Sequence, residues 1–319
     1  MGAEFVILTL PPLTAAVLAA LACALPGNWL LLRRQAMLGD AVAHSVLPGL
    51  VVAFVLTGTL SPVPLALGAL AAALVAVGLV EAIRRRGRVD PGTAMGAAFT
   101  TLFALGVLLL ELSGAARVHL DVEHALMGNL ESLVWLDATG WSSLLDGAAL
   151  RGLPPQIGVL AATLLGVASV LWLLRRPLFA STFDEDHARV TGQRPALTGL
   201  ALVAATATAA VAAFQAVGAI VVIAMLTVPP AAARLLTDRF ETQLRLSLLL
   251  AAGCAAGGTI LGGYGPLWLG APASVSAAGT IAVLGGLALA LAAGFGPRRR
   301  PAAAGRPGAA ALDGPSGEA

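Results

Sequence analysis

The sequence is built from apolar runs of about 20 residues, separated by short clusters of charged residues. Such a run is the length at which an α-helix crosses the hydrocarbon core of a bilayer. Only 11% of the residues are charged, against roughly a quarter in ordinary soluble domains. The pattern therefore predicts an all-α, polytopic membrane protein rather than a soluble globular domain.

The apolar runs predict nine membrane spans within a single transmembrane domain at residues 1–296. The expected spans lie at about residues 1–25, 41–56, 63–82, 94–110, 157–174, 196–214, 218–236, 244–261 and 274–293. Eight spans are the alternative if one proline-broken segment crosses only half of the bilayer. Residues 297–319 are rich in Pro, Ala, Gly and Arg without an apolar period, which predicts a disordered cytoplasmic tail.

The basic residues are all arginine, and they cluster between the apolar runs. Cytoplasmic loops of membrane proteins are enriched in basic residues. Nine spans with the N-terminus outside place most of the arginines on the cytoplasmic side. The clusters that this topology places inside are residues 33–34, 84–88, 175–194, 234–245 and 298–306.

Several function classes are excluded by what the sequence lacks. The chain contains no lysine, so it has no Walker A lysine and is not itself a P-loop ATPase. It also lacks the His-Glu-x-x-His and Gly-x-Ser-x-Gly signatures of common hydrolases. Its net charge of +2 is too small to indicate a nucleic-acid partner.

Asp40 and His44 stand at the start of an apolar run that is otherwise almost free of charge. Residues four apart share one face of a helix. A carboxylate and an imidazole are costly to hold within a membrane, and together they form a reasonable donor set for a divalent transition metal. We call them the Asp40/His44 pair. The alternative is that Asp40 caps the helix and His44 hydrogen-bonds a neighbouring span.

The stretch between Ser113 and Pro155 is more polar and contains Trp135 and Trp141. We interpret it as a short re-entrant or interfacial helix with tryptophan anchors. Asp121 and His124 are three residues apart and would share a helical face, which makes them a second candidate metal contact. The alternative for this group is a solvated helix that docks a partner protein.

The longest polar break between spans runs from Ser181 to Arg194. Asp184, Glu185 and Asp186 would favour the positive end of a helix dipole, and Gly192 would end the helix. The sequence therefore predicts a short cytoplasmic helix here.

Five separate stretches, in order, resemble the manganese/zinc/iron-chelate family of ABC-transporter permeases, and the likeness extends over roughly residues 5–296. The stretches are Gly39-Asp40-Ala41 with Ala43-His44-Ser45 and Pro48-Gly49, Phe103–Val107, Asp121–Asn129, Phe183–Gly192, and Val217–Val222 with Pro229–Arg234. The chain departs from the family pattern at Glu123, Met127, Pro230 and Ala233.

The resemblance implies a permease subunit of an ATP-driven importer of divalent metal ions (manganese, zinc or iron) in the bacterial cytoplasmic membrane. It implies no permanently bound cofactor and no enzyme activity in this chain, because a separate cytoplasmic ABC ATPase would hydrolyse ATP. It also implies a homodimer embedded in membrane lipid, with an extracytoplasmic metal-binding protein as a further partner.

Within that picture, Asp40, His44, Asp121 and His124 are the expected metal contacts. The ATPase would dock at residues 183–192, which we call the coupling segment. Its expected contact residues are Phe183, Asp184, Glu185, Asp186, His187, Arg189 and Gly192. Two other readings stay open: a permease for iron-siderophore or cobalamin, and a gradient-driven secondary transporter with Asp40 as its coupling carboxylate.

Overall fold

The structure is a computed structural model that describes residues 4–36, 38–59, 62–113, 130–268, 270 and 274–296. Within these ranges the regular secondary structure is helical throughout, as predicted for an all-α chain. The α-helices are numbered in chain order: α1 Leu10–Leu32, α2 Leu38–Thr57, α3 Pro62–Gly87, α4 Pro91–Leu112, α5 Gly147–Arg151, α6 Pro155–Leu173, α7 Arg175–Phe183, α8 Glu185–Val190, α9 Pro195–Leu236, α10 Phe240–Trp268 and α11 Ala277–Phe295.

Seven helical segments of the described chain are long and apolar enough to cross a membrane, which confirms a multi-pass protein. They are Phe5–Leu32, Val63–Arg84, Gly92–Leu112, Pro155–Leu173, Pro195–Leu236, Phe240–Trp268 and Ala277–Phe295. In α2, by contrast, the apolar stretch is Pro48–Thr57, which is too short to count among these seven. The total of eight or nine spans therefore stays a prediction.

The 42 residues of α9 are too many for one straight crossing. At 1.5 Å per residue they would extend about 63 Å, roughly twice the thickness of a hydrocarbon core. The helix is broken at Gly218, whose backbone angles of φ 80° and ψ 170° are not helical. A positive φ of this kind favours glycine. The break coincides with the start of the span predicted at residues 218–236.

Helix α1 lies at the centre of the bundle, where it packs against α9, α10 and α6. Six of its fourteen buried residues are alanine. Small side chains let helix backbones approach closely, which is a main source of helix association in membranes. The sequence of α1 therefore suits a helix that is surrounded by others.

Helices α1 and α9 approach each other closely at Gly27 of α1. A Cβ atom there would lie 2.1 Å from the backbone oxygen of Leu226 in α9. That oxygen has no intrahelical donor, because the residue four positions later is Pro230, which has no N–H group. Gly39 of α2 meets the side chain of the same Leu226, with a Cβ-to-Cδ1 distance of 2.7 Å. Three helices therefore meet at one leucine.

A polar network holds α1 to α10 inside the bundle. Asn28 donates a hydrogen bond to Ser247 Oγ at 2.9 Å, and Gln243 donates to Asn28 Oδ1 at 3.1 Å. All three side chains are fully buried. Because a buried polar group must be paired to avoid a desolvation cost, this network fixes the register of the two helices.

The bundle has two chemically different ends. One apolar cluster contains Leu30, Val80, Leu171, Leu178 and Leu202. In this cluster, the ends of α1, α3, α6 and α9 that are next to arginine clusters come together. The opposite end is closed by the segment 130–154, which folds over the start of α1. We refer to the first as the arginine end.

The tryptophan-anchor prediction is wrong for Trp135. This side chain is fully buried, and its Nε1 donates to the backbone oxygen of Ala149 at 2.8 Å. It packs against Val6 at the start of the first span, so it closes the bundle instead of contacting lipid. Trp141 is 55% exposed and stacks on Phe5, with ring centroids 5.9 Å apart.

The described part of the predicted re-entrant segment contains only short helices. It forms two 3-10 turns and the five-residue α5. Glu131 accepts a hydrogen bond from the backbone N–H of Ala277 at 3.1 Å, which ties this segment to the first turn of α11. Residues 114–129, where the rest of the prediction falls, lie outside the described chain.

We predict that Gly27→Ala destabilises the protein by about 1–3 kcal/mol, the usual cost of inserting an atom into a filled interior. The added methyl group would meet the Leu226 backbone oxygen, which cannot move as a flexible side chain could. The measurement is the thermal unfolding midpoint of the detergent-solubilised protein.

Gly78→Ala is the matched control, since no atom lies within 4 Å of a Cβ atom built at that exposed helical position. It should leave the midpoint unchanged or raise it, because alanine reduces the conformational freedom of the unfolded chain. Equal midpoints for Gly27→Ala and Gly78→Ala would contradict the close approach.

Candidate functional site

The structure places the Asp40/His44 pair in the first turns of α2, and the backbone is helical at both positions. One turn therefore separates the two residues, as their spacing predicts. Their side chains lie outside the described part of the chain, so their role as metal contacts stays a prediction.

Small buried residues position α2 on both sides of this pair. Gly39 packs on Leu226, and Ala41 and Ser45 are buried. Further along, a Cβ atom at Gly49 would lie 2.4 Å from the backbone oxygen of Gly68 in α3. Close packing against α9 and α3 thus fixes the backbone that carries the Asp40/His44 pair.

Asp121 and His124 lie in the undescribed range 114–129, so the second metal group also stays a prediction. Among the residues that the structure does describe, no group of three or more His, Cys, Asp or Glu side chains is arranged to hold a metal ion.

The coupling segment forms the short helix predicted at this position. Asp184 caps α8 by accepting a hydrogen bond from the backbone N–H of His187 at 2.8 Å. Glu185 and Asp186 occupy the first turn, where negative charge favours the helix dipole. Gly192 follows the helix with φ 77°, the left-handed conformation typical of a helix end. The contribution of this helix to coupling stays a prediction.

Much of the coupling segment faces outward. Phe183 and Val190 are 68% and 87% exposed although both are apolar. Arg189 pairs within its own helix with Glu185 at 2.5 Å and Asp186 at 3.2 Å. The segment therefore presents two apolar side chains beside an internally paired charge cluster, which suits a surface that binds another protein.

Arg33, which follows α1, connects that helix to α7. Its guanidinium donates hydrogen bonds to Ser181 Oγ at 2.6 Å and to Thr182 Oγ1 at 3.0 Å. Partial burial lowers the pKa of Arg33 from its ordinary value, while the nearby negative charge of Glu185 opposes that decrease. We call this set of contacts the Arg33 clasp.

An aromatic cluster strengthens the same connection. The ring of Trp29 in α1 lies 4.8 Å from Phe179 in α7 and 4.5 Å from Phe240 in α10. Phe179 and Phe240 are 4.9 Å apart in a near-perpendicular arrangement, which is favourable for aromatic rings. Thus α7 is fixed to the central helix by polar and apolar contacts together.

From the sequence, Arg33 was predicted only to belong to a cluster of cytoplasmic arginines, so its contacts with α7 were not expected. Its partners are about 150 positions away in the chain, and nothing in the local pattern at Arg33 or at Ser181 indicates that they meet. The aromatic cluster was missed for the same reason.

Comparison with known proteins gives one consistent result. Residues 7–295 match the family described as the ABC 3 transport family. The chain is 37% identical over 281 residues to the manganese transport system membrane protein MntD of Bacillus subtilis, covering 88% of this chain and 90% of that protein. It is 35% identical over 294 residues to the zinc transport system membrane protein TroD of Treponema pallidum, covering 91% and 75%.

A solved structure shares the fold. A chain of PsaBC from Streptococcus pneumoniae, solved in complex with a Fab, superposes with a TM-score of 0.71. The match covers 92% of this chain and 93% of that chain at 22% sequence identity.

We predict that Asp184→Ala destabilises α8 by about 1 kcal/mol, the typical loss for an N-cap carboxylate. The backbone N–H of His187 would lose its acceptor, and the first turn would open more often. Hydrogen exchange of the α8 amides should accelerate about fivefold.

Asp186→Ala is the control, because Asp186 pairs only with the exposed Arg189 among the described residues. It should accelerate exchange in α8 clearly less than Asp184→Ala does, because it keeps the capping hydrogen bond and removes only an exposed ion pair and one charge near the start of the helix. Equal acceleration in both variants would argue against the cap.

Proposed function

The chain belongs to the ABC 3 transport family, and from this premise we propose that it is the permease subunit of an ATP-driven importer of divalent transition-metal ions. It is a multi-pass protein of the bacterial cytoplasmic membrane. The observation that carries the proposal is the near full-length likeness to a manganese transport system membrane protein. The cargo class is manganese, zinc or iron, supported by the manganese and zinc systems among the relatives and by an Asp/His donor set that suits these ions.

The energy for transport would come from another chain. The family consists of membrane permeases, and this chain has no lysine for a Walker A motif. A separate cytoplasmic ATPase would bind at the coupling segment. Family membership also argues against the alternative of a carrier driven only by an ion gradient.

The orientation follows from the arginine end. Basic residues favour the cytoplasmic side, so the arginine end would face the cytoplasm together with the coupling segment. The opposite end, closed by Trp135 and the segment 130–154, would face outward. Asp121 and His124 would then lie on the side where an extracytoplasmic binding protein releases the ion.

The Asp40/His44 pair would form part of the ion path. Two donors from one chain are too few for a tight site, and weak binding suits a conduit that must release its ion. A second copy of the chain in a homodimer would contribute the same two donors. Four donors in all would match the coordination number common for transition metals in proteins.

A continuous series of contacts links the coupling segment to this pair. The Arg33 clasp joins α7 to α1, and Gly27 of α1 meets Leu226 of α9. Leu226 in turn packs on Gly39, the residue directly before Asp40. Movement of the coupling segment on ATP binding would therefore reach α2 through directly packed side-chain and backbone groups.

We expect Asp40→Ala and His44→Ala each to reduce import of the metal by about tenfold or more. Even partners that only orient a metal ligand typically cost 10–100-fold when they are removed. The measurement is uptake of radioactive manganese or zinc by vesicles that contain the full transporter.

Thr57→Ala, at the exposed far end of the same helix, is the control and should import at the normal rate. Normal import by both Asp40→Ala and His44→Ala would remove the pair from the mechanism.

The Arg33 clasp predicts a loss of coupling. Arg33→Ala should lower the amount of metal imported per ATP hydrolysed by about tenfold, because hydrogen bonds from a charged group are worth about 1.5 kcal/mol or more each. The ATPase subunit should still bind, since the exposed surface of the coupling segment is unchanged. Import and ATP hydrolysis are measured together in proteoliposomes.

Arg34→Ala provides the comparison, because Arg34 is the adjacent arginine, is exposed, and forms no side-chain hydrogen bond or ion pair with the described residues. It should keep the normal ratio. A similar ratio for both variants would mean that the clasp does not transmit movement.

A further inference from the structure

A cleft of about 880 Å³ opens on the side of the bundle at the arginine end. Its walls come from four helices, represented by Trp29 of α1, Leu165 of α6, Phe179 of α7 and Phe240 of α10. We call it the lateral cleft. Its volume is within the range of about 300–1,000 Å³ that is typical of sites for small organic ligands.

The interior of the lateral cleft is apolar, and the surface around it is suited to lipid. Leu165 and Trp172 line it and are still 68% and 66% exposed. Leu173, which also lines the cleft, is 73% exposed, and Leu249, one turn beyond Arg245 in α10, is 69% exposed. In a chain that crosses the membrane, such a surface faces acyl chains rather than water.

The lining contains three charged side chains. Arg175 and Arg245 lie there together with Glu241, so the lining carries a net positive charge. The guanidinium of Arg175 lies over the ring of Trp172, 5.4 Å from its centroid. Neither arginine forms an ion pair with a carboxylate within the described chain, so both are available to an anion.

We propose that the lateral cleft binds one anionic phospholipid of the cytoplasmic leaflet. Its acyl chains lie along the apolar walls, and its phosphate is held by Arg175 and Arg245. Arginine has a planar fork of donors that matches phosphate oxygens. Glu241 accepts a hydrogen bond from a headgroup hydroxyl, which phosphatidylglycerol has and phosphatidylcholine lacks.

The chemistry of the cleft favours a lipid over other occupants. A soluble phosphate would use the two arginines and leave the apolar walls in contact with water. A helix from another protein would cover the walls but would have to bring a carboxylate to each guanidinium. A diacyl phospholipid satisfies both parts at once, and tryptophan with arginine at the membrane interface is the usual setting for its headgroup.

Occupation of the cleft would also bear on α7. Trp29, Phe179 and Phe240 line the cleft and form the aromatic cluster that fixes α7 to α1. A bound lipid would fill the space beside these rings and stiffen the attachment of the coupling segment. The proposal concerns lipid and does not depend on which ion is carried.

The test is native mass spectrometry of the full-length, detergent-solubilised protein, titrated with phosphatidylglycerol or phosphatidylcholine of identical acyl chains. We expect phosphatidylglycerol to be retained in preference to phosphatidylcholine, with one tightly held molecule per chain. An arginine near an anionic lipid is worth about fivefold in affinity, so Arg175→Gln with Arg245→Gln should weaken this binding about 25-fold. Excess inorganic phosphate should not displace the lipid.

Two controls separate the cleft from general effects of charge and folding. Arg176→Gln with Arg239→Gln removes the same charge from exposed arginines outside the cleft and should bind normally. Ala168→Trp fills the cleft without changing charge, whereas Ala162→Trp adds the same ring at an exposed position outside it. Only Ala168→Trp should abolish retention.

Four results would overturn the proposal. The first is an equal loss of phosphatidylglycerol binding in the two arginine double variants, and the second is equal retention of the two lipids. The third is displacement of the lipid by inorganic phosphate, which would make the site one for a soluble anion. A second copy of the chain bound in place of lipid, seen as a dimer that Ala168→Trp alone disrupts, would also refute it.

Discussion

The structure depends on one close approach, that of Gly27 in α1 to the backbone oxygen of Leu226 in α9. Pro230 leaves this oxygen without a helical donor, and a glycine is the only residue that leaves room for it. The same leucine contacts Gly39, so the central helix, the broken helix and the helix of the Asp40/His44 pair share one point. A membrane interior offers no hydrophobic drive between helices, and packing of this kind replaces it.

This arrangement gives the candidate site its physical character. The coupling segment lies at the arginine end and follows α7, which the Arg33 clasp and the aromatic rings of Trp29 and Phe179 attach to α1. Its outer surface keeps Phe183 and Val190 exposed. The segment therefore continues from a firmly held helix and has an exposed outer surface, as the proposed contact with an ATPase subunit requires.

The sequence predicted those features that arise from local chemistry. Apolar runs located the seven helical segments of the described chain that could cross a membrane, a run of acidic residues with Gly192 located α8, and the start of a new span at Gly218 marked the break in α9. The prediction failed where one side chain suits both the membrane interface and the protein interior. Tryptophan is typical of membrane-interface anchors. The N–H group of Trp135, however, donates a hydrogen bond to the backbone oxygen of Ala149, and that pairing makes burial favourable. The Arg33 clasp and the lateral cleft join residues far apart in the chain, and no local pattern reports such distances. The role of the Asp40 and His44 side chains as metal contacts stays a prediction from the sequence.

The Asn28 network also constrains the order in which the protein can be assembled. Asn28 enters the membrane with the first span, but Gln243 follows it by 215 positions. At about 5–20 residues per second, roughly 10–40 s of synthesis separate the two amides. During that interval Asn28 must rely on the backbone oxygen of Ala24, which it contacts at 2.8 Å, or on water at the membrane surface. The central helix is thus made well before its packing against α10 can be completed, and early termination of translation before α10 would leave a polar group in lipid for quality-control proteases to recognise.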